Sequence, residues 1–254
     1  MTTLFEQWRA MPTSEAHGLY VILDRLYEPN PVAHWCEQEW VTQMHPLYYQ
    51  TPMESVLNAS PWLCQVAMEK WADVEQWIDE QQEPTWGWLY ISEQSWQQQL
   101  THWQSHLRIV IDGELRAVRL QDPRVLSVWL SVKEPALWQG LLSPVTALQL
   151  PDRAPDRRPE QLASVSASLP WVLPAALSDA WHHSPFGIKV AASNFEVALW
   201  EQDAPLSESL YLQGGDIESQ LSAWLRALID AGQSIRTLTM VDVIAWASDR
   251  VQHK

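Results

Sequence analysis

The dipeptide Asp112-Gly113 stands between two strand-like runs, Leu107 to Ile111 and Leu115 to Leu120. A two-residue loop of the favoured hairpin type needs positive φ at its central residues, and Asp-Gly supplies it at low cost. Strands joined so tightly run antiparallel, so any sheet this chain builds is not purely parallel. Shortly downstream, Asp122-Pro123 has the form of a helix start. The carboxylate accepts from the orphan amides of the first turn, and proline at the first position gives up no needed donor. Val125, Leu126, Trp129 and Leu130 then fall on the buried side of that helix.

Upstream, β and α signals alternate. Leu19 to Asp24 is apolar on both faces and reads as a central strand, with Gly18 before it. Residues 28 to 62 hold several prolines and read mainly as loop, with a short helix near Ala33 to Val41. Ala67, Trp71, Val74 and Ile78 keep helical spacing, and Trp86 to Ile91 reads as a strand. Trp96, Leu100, Trp103 and Leu107 form a second helical stripe, with Ser92 or Ser95 as its cap. The fold class predicted is α/β (mixed α+β): an N-terminal lobe with a mixed sheet flanked by helices, and a smaller, mainly helical C-terminal lobe.

The boundaries follow from composition. Residues 1–148 form the first lobe. Residues 149–170, with Pro151, Pro155, Pro159, three arginines and a Ser/Ala stretch, read as a linker. Residues 171–254 form the second lobe. It holds a short helix over Leu173 to Trp181, a short strand or extended segment over Phe195 to Trp200, and two closing helices. The first carries Ile217, Leu221, Trp224, Leu225 and Leu228 and ends before Gly232; the second runs from Met240 to Val251.

Charge narrows the function classes. A net charge of -15 repels phosphate backbones and anionic membrane surfaces, so neither nucleic-acid binding nor membrane insertion is expected. No apolar run approaches the roughly 18 residues of a membrane span, and Met1 to Arg9 lacks the form of a signal peptide, so the expected compartment is the cytoplasm. Cys36 and Cys64 read as reduced core residues. The 8 glycines form no phosphate-binding loop, and no cofactor is expected. The 17 tryptophans are the compositional oddity, and they are the expected seat of a binding surface together with the C-terminal lobe.

No catalytic constellation emerges, and the chain is expected not to be an enzyme. His102 and His106 have the i, i+4 spacing of zinc ligands, yet Trp103-Gln104-Ser105 between them lacks the glutamate of a zinc protease. They read as solvated histidines beside Trp103, with no metal site. His182-His183 reads as a surface pair at a helix end, and Cys36 near His34 is too local to signal a nucleophile. Arg108, Arg116, Arg119 and Arg124 crowd one short region. Salt bridges to Asp112, Glu114 and Asp122 are the first reading, and contact with a partner is the second.

The order of these elements resembles the type VI secretion effector-adaptor (chaperone) family. The resemblance rests on Leu107-Arg108, Asp112-Gly113, Arg119, and Asp122-Pro123-Arg124-Val125-Leu126. Further upstream it includes Tyr20 to Asp24, the Ser60-Pro61-Trp62-Leu63 motif placed before a helix, and the Trp86-Gly87-Trp88-Leu89 strand. It covers roughly residues 18–132. Leu120-Gln121 departs from the pattern, since the family often has an aromatic pair there. The resemblance implies a non-catalytic cytoplasmic adaptor that binds a secreted effector and helps load it onto the VgrG spike protein. Its signature residues here are Asp24, Pro61, Arg108, Asp112, Gly113, Arg119, Asp122, Pro123 and Arg124, with structural or partner-binding roles. A glycan- or wall-acting hydrolase and a Trp-platform carbohydrate binder are the alternatives.

Overall fold

In a computed structural model, residues 4–10, 18–162 and 168–252 are described. The first unit, Met1–Leu177, is built on a six-stranded sheet. Its strands are β1 (Gly18–Asp24), β2 (Val41–Pro46), β3 (Pro61–Val66), β4 (Gly87–Ser92), β7 (Ala147–Gln149) and β8 (Asp156–Arg157), in the order β2-β3-β1-β4-β7-β8. The predicted hairpin, β5 (Arg108–Ile111) with β6 (Glu114–Ala117), forms a separate two-stranded sheet. Every pairing between these strands is antiparallel, so the sheet expected to be mixed has no parallel pair. At the hairpin tip Asp112 and Gly113 have φ of 51° and 86°, as the turn requires.

The strand read as central is central. β1 is buried at every residue after Gly18 and pairs with β3 on one side and β4 on the other. One face carries Leu19, Val21, Leu23, Leu89 and Ile91 into a core shared with α1 (Leu4–Ala10), α2 (Pro31–Glu37) and α3 (Trp71–Glu80). On the other face Trp88 and Tyr90 meet Trp103 of α4 (Trp96–Ser105), with ring centroids 5.6 Å apart in each pair. Trp103 donates its indole N–H to the Tyr90 hydroxyl at 2.6 Å, and that hydroxyl donates to Gln99 at 3.0 Å. Ser95 caps α4 in a reciprocal box with Gln98, as its position predicted.

Three segments differ from the sequence reading. Residues 28–62 contain the short helix expected there, as α2, but also strand β2, and the Ser60-Pro61-Trp62-Leu63 motif itself opens strand β3 before the chain enters α3. Pro61 is tolerated because it occupies the strand's first position, where a missing amide costs least. Second, the residues read as a linker belong in part to the sheet unit. β7 and β8 pair, and Arg153, Arg157 and Arg158 bond to Asp156, the Gln7 side chain and the Ser143 carbonyl. Trp171 and Leu173 also hydrogen-bond to Val110, so the division falls after Leu177. The Ser/Ala stretch, residues 163–167, lies outside the described residues.

The second unit, Ser178–Lys254, is helical. After α5 (Pro123–Ser131), α6 (Pro135–Gln139) and α7 (Ala175–His183) come α8 (Pro185–Gln202), α9 (Ala204–Gly214), α10 (Ile217–Asp230) and α11 (Met240–Gln252). Phe195 to Trp200, read as extended, lies within α8, where Ser184 caps the helix and Pro185 begins it. Ile188, Ala192, Leu199, Leu210, Leu221, Leu225, Val243 and Ala247 make the core of this unit.

Candidate functional site

The end of β1 begins the site. Asp24 takes its backbone position from a hydrogen bond between its amide and the Trp86 carbonyl at 2.8 Å, while Gly87 lets the strands approach. A Cβ at Gly87 would lie 2.1 Å from the Ile22 carbonyl oxygen, and its φ is +141°. The chain then turns: Asp24 Oδ1 accepts from the Leu26 amide at 2.9 Å, and the Tyr27 amide bonds back to the Asp24 carbonyl at 3.2 Å.

Trp88 brings the second half of the site to this strand end. Its side chain, fully buried in the sheet, donates its indole N–H to the Leu120 carbonyl at 2.6 Å. That bond holds the segment between the hairpin and α5 against the sheet, with Arg119 and Asp122 on either side of the anchored peptide. Asp122 then caps α5, accepting from the Arg124 amide at 3.1 Å. The same carboxylate receives Arg124 Nε at 2.9 Å and Nη2 at 2.8 Å, a two-pronged ion pair.

Asp24, Arg119, Asp122 and Arg124 together line a cavity of about 640 Å³. Across from them stand the Leu26–Pro29 turn and the segment Glu80 to Glu83 at the end of α3. Asp24 is 8% exposed, and burial pushes its carboxyl above the usual range. The Leu26 amide and Arg119 oppose that rise, while Asp122 adds to it. Arg119 Nη2 lies 3.7 Å from Asp24 Oδ2, an ion pair too long for a hydrogen bond. Donating to the Asp122 carboxylate raises the Arg124 guanidinium's affinity for its proton, with Asp24 and Glu83 contributing charge. The Tyr27 hydroxyl donates to the Glu83 carbonyl at 3.2 Å and fixes the ring in the cavity wall.

The structure therefore unites four signature residues in one cavity, with Pro61 opposite Asp24 in the β1–β3 register and Pro123 at the first position of α5. Arg108, Asp112 and Gly113 belong to the hairpin and do not line the cavity. Arg116 pairs with Glu114 at 2.5 Å, as local salt bridging predicts, whereas Arg119 reaches across the fold to Asp24. Sequence reasoning missed Tyr27, Glu28, Glu80 and Glu83. No local spacing marks them, because only the sheet brings those segments together.

The histidines and tryptophans also differ from expectation. His102 and His106 are stacked 4.1 Å apart and turned inward. His102 Nε2 contacts the Leu141 carbonyl at 2.9 Å, and His106 Nδ1 contacts the His102 carbonyl at 2.8 Å. Burial favours their neutral forms, and His102 is lowered to about 3, with His106 adding to the effect. Among the described residues no three His, Cys, Asp or Glu side chains group to hold a metal ion, and no helix is long and apolar enough to cross a membrane. Of the 17 tryptophans, only Trp200, 41% exposed, is among the exposed large side chains.

The fold and site define an α/β sheet protein with a charged cavity at its strand ends and a helical second unit. Its segment 19–139, which contains the cavity residues, matches the family model described as "Domain of unknown function (DUF4123)". Searches of curated proteins and of solved structures return no match.

Proposed function

We propose that this chain is a non-catalytic cytoplasmic adaptor that binds a type VI secretion effector and assists its loading onto the VgrG spike. The DUF4123 family is associated in general with type VI secretion effector adaptors. The observation that carries the reading is the matched segment itself: it includes the cavity that gathers Asp24, Arg119, Asp122 and Arg124. In that cavity both arginines are engaged with carboxylates, an arrangement suited to recognising charge on a protein surface.

On this reading the sheet unit is the shared scaffold and the helical unit is matched to a particular effector. Val197 and Trp200, exposed one turn apart on α8, suit contact with such a partner. The Trp-platform alternative loses its support, since the tryptophans are largely enclosed in the fold.

The test is co-purification of the tagged chain with the proteins encoded beside its gene, among them the spike's C-terminal tail. A stable complex with an effector and the spike is expected in mild salt. Retention of neither overturns the proposal. So does glycan hydrolysis by the purified chain that a single carboxylate substitution abolishes.

A further inference from the structure

We infer that the free edge of strand β6 pairs with the same edge of a second copy of this chain, antiparallel and with Leu115 opposite Leu115. The pairing draws on the hairpin alone and does not depend on the adaptor reading.

The backbone decides which way β6 is open. Val118 donates its amide to the Leu107 carbonyl at 3.0 Å. By the alternation of an antiparallel ladder, Ile109 with Arg116 and Ile111 with Glu114 then carry the bonds that join β5 to β6. Val110, lying between, turns its peptide groups the other way. Its amide donates to the Trp171 carbonyl and its carbonyl accepts from the Leu173 amide, both at 2.8 Å. The matching outward groups of β6 belong to Leu115 and Ala117, and among the described residues no strand pairs with them. All four residues of β6 are exposed. Such an edge is a template for another strand.

Side chains select the occupant. When β6 meets its own copy, two registers bring outward groups together near the middle of the strand. Placing Leu115 opposite Ala117 sets Arg116 directly against Arg116 of the other copy, and like charges so placed repel. Placing Leu115 opposite Leu115 sets each Arg116 against the other copy's Glu114. Both cross-strand pairs then attract. Ala117 faces the other copy's Gly113, where nothing lies within 4 Å of the position a Cβ would take. Within one copy Glu114 and Arg116 already meet on a shared face of the strand, so both point where the cross-strand pairs need them.

The opposite face carries an apolar row. Val110 stands opposite Leu115 in the hairpin and is bridged to Val172 on its other side, so the three side chains lie abreast. Leu115 is 45% exposed and Val172 56% exposed. The row ends at Leu115, on the open edge. A second copy in the Leu115 register continues it through that copy's Leu115, Val110 and Val172, across a two-fold axis.

So short an edge is a small interface, and the dimer is weak. The test is sedimentation equilibrium of the full chain over a concentration series at about 0.15 M salt, which screens repulsion between two acidic chains beyond about 8 Å. A reversible monomer–dimer equilibrium is expected. Arg116→Glu opposes carboxylates at both pairs and should weaken the dimer about tenfold, whereas Glu114→Arg/Arg116→Glu should restore it. Leu115→Pro removes an outward amide without touching the bonds between β5 and β6, and should abolish the dimer while circular dichroism confirms the fold. A native chain still monomeric at about 1 mM overturns the inference. So does a dimer that survives Leu115→Pro, or one that the single and double charge variants weaken alike. A monomeric native chain whose co-purifying partner is lost in Leu115→Pro assigns the edge to that partner and overturns the second copy as its occupant.

Discussion

Replacing Asp122 with alanine tests how much of the site is also scaffold. As a helix cap alone, this aspartate contributes about 1 kcal/mol. The structure adds the two-pronged pair with Arg124, but the Arg124 side chain is 46% exposed and water can take over its solvation. That pair is therefore discounted to about 1 kcal/mol, for a total near 2 kcal/mol. The converse variant, Arg124→Ala, leaves a carboxylate only 2% exposed without its cation. Stranding a buried charge costs more than removing both partners, so about 2–3 kcal/mol is expected there. The double variant should resemble Asp122→Ala, which gives a coupling of about 2–3 kcal/mol. Urea unfolding of the full chain, followed by circular dichroism, measures all three. An Asp122→Ala protein within about 0.5 kcal/mol of the native one, together with an additive double variant, refutes the reasoning.

Three further outcomes follow from single sites. Gly87→Ala should lose at least about 3 kcal/mol or fail to fold, because the new methyl meets the Ile22 carbonyl at a backbone angle alanine avoids; unchanged thermal unfolding would contradict this. The His102 imidazole is held down to about 3, against an ordinary value of 6.5. The unfolded chain therefore gains a proton below about pH 6.5 that the folded chain refuses, so stability is full above that pH and declines as pH falls toward 3. The expected loss is about 2 kcal/mol between pH 7 and 5, and His102→Asn should flatten the decline; an equal slope in both proteins would sink the assignment. Cys36 is exposed whereas Cys64 is fully buried, its thiol pushed up by burial, so a maleimide should label one thiol in the native protein and both in urea.

Much of the fold was legible where local chemistry decides structure. The hairpin turn, the Ser95 and Asp122 caps and the stripe of α10 follow from rules that act over a few residues. Elements set by distant partners were not legible. β2 alternates too weakly to be read as a strand: its residues are half-buried or exposed, and it exists because β3 offers an edge. β8 is only two residues long, Asp156–Arg157, too short to show any alternation in sequence, and it is held by pairing with β7 and by the Arg153–Asp156 ion pair. Phe195 to Trp200 misled because its apolar residues surround the helix. Leu199 packs inward while Val197 and Trp200 face out, so the run carries no clean helical period.

The site shows the same division more sharply. Asp122 was readable as a cap and Asp24 as the end of a strand, but nothing between them in sequence announces that they share a cavity. Their meeting depends on Trp88, whose buried indole ties the Leu120 carbonyl to the sheet. This also revises the meaning of the tryptophan content. A high count suggests exposed anchors, yet Trp35, Trp77 and Trp86 pack edge to face in the core, and Trp103 serves the buried hydroxyl of Tyr90. The aromatic surface is largely consumed in holding a thin sheet between helices. In the sheet unit the tryptophans act from below: Trp88 places the charged cavity around Asp24 without lining it.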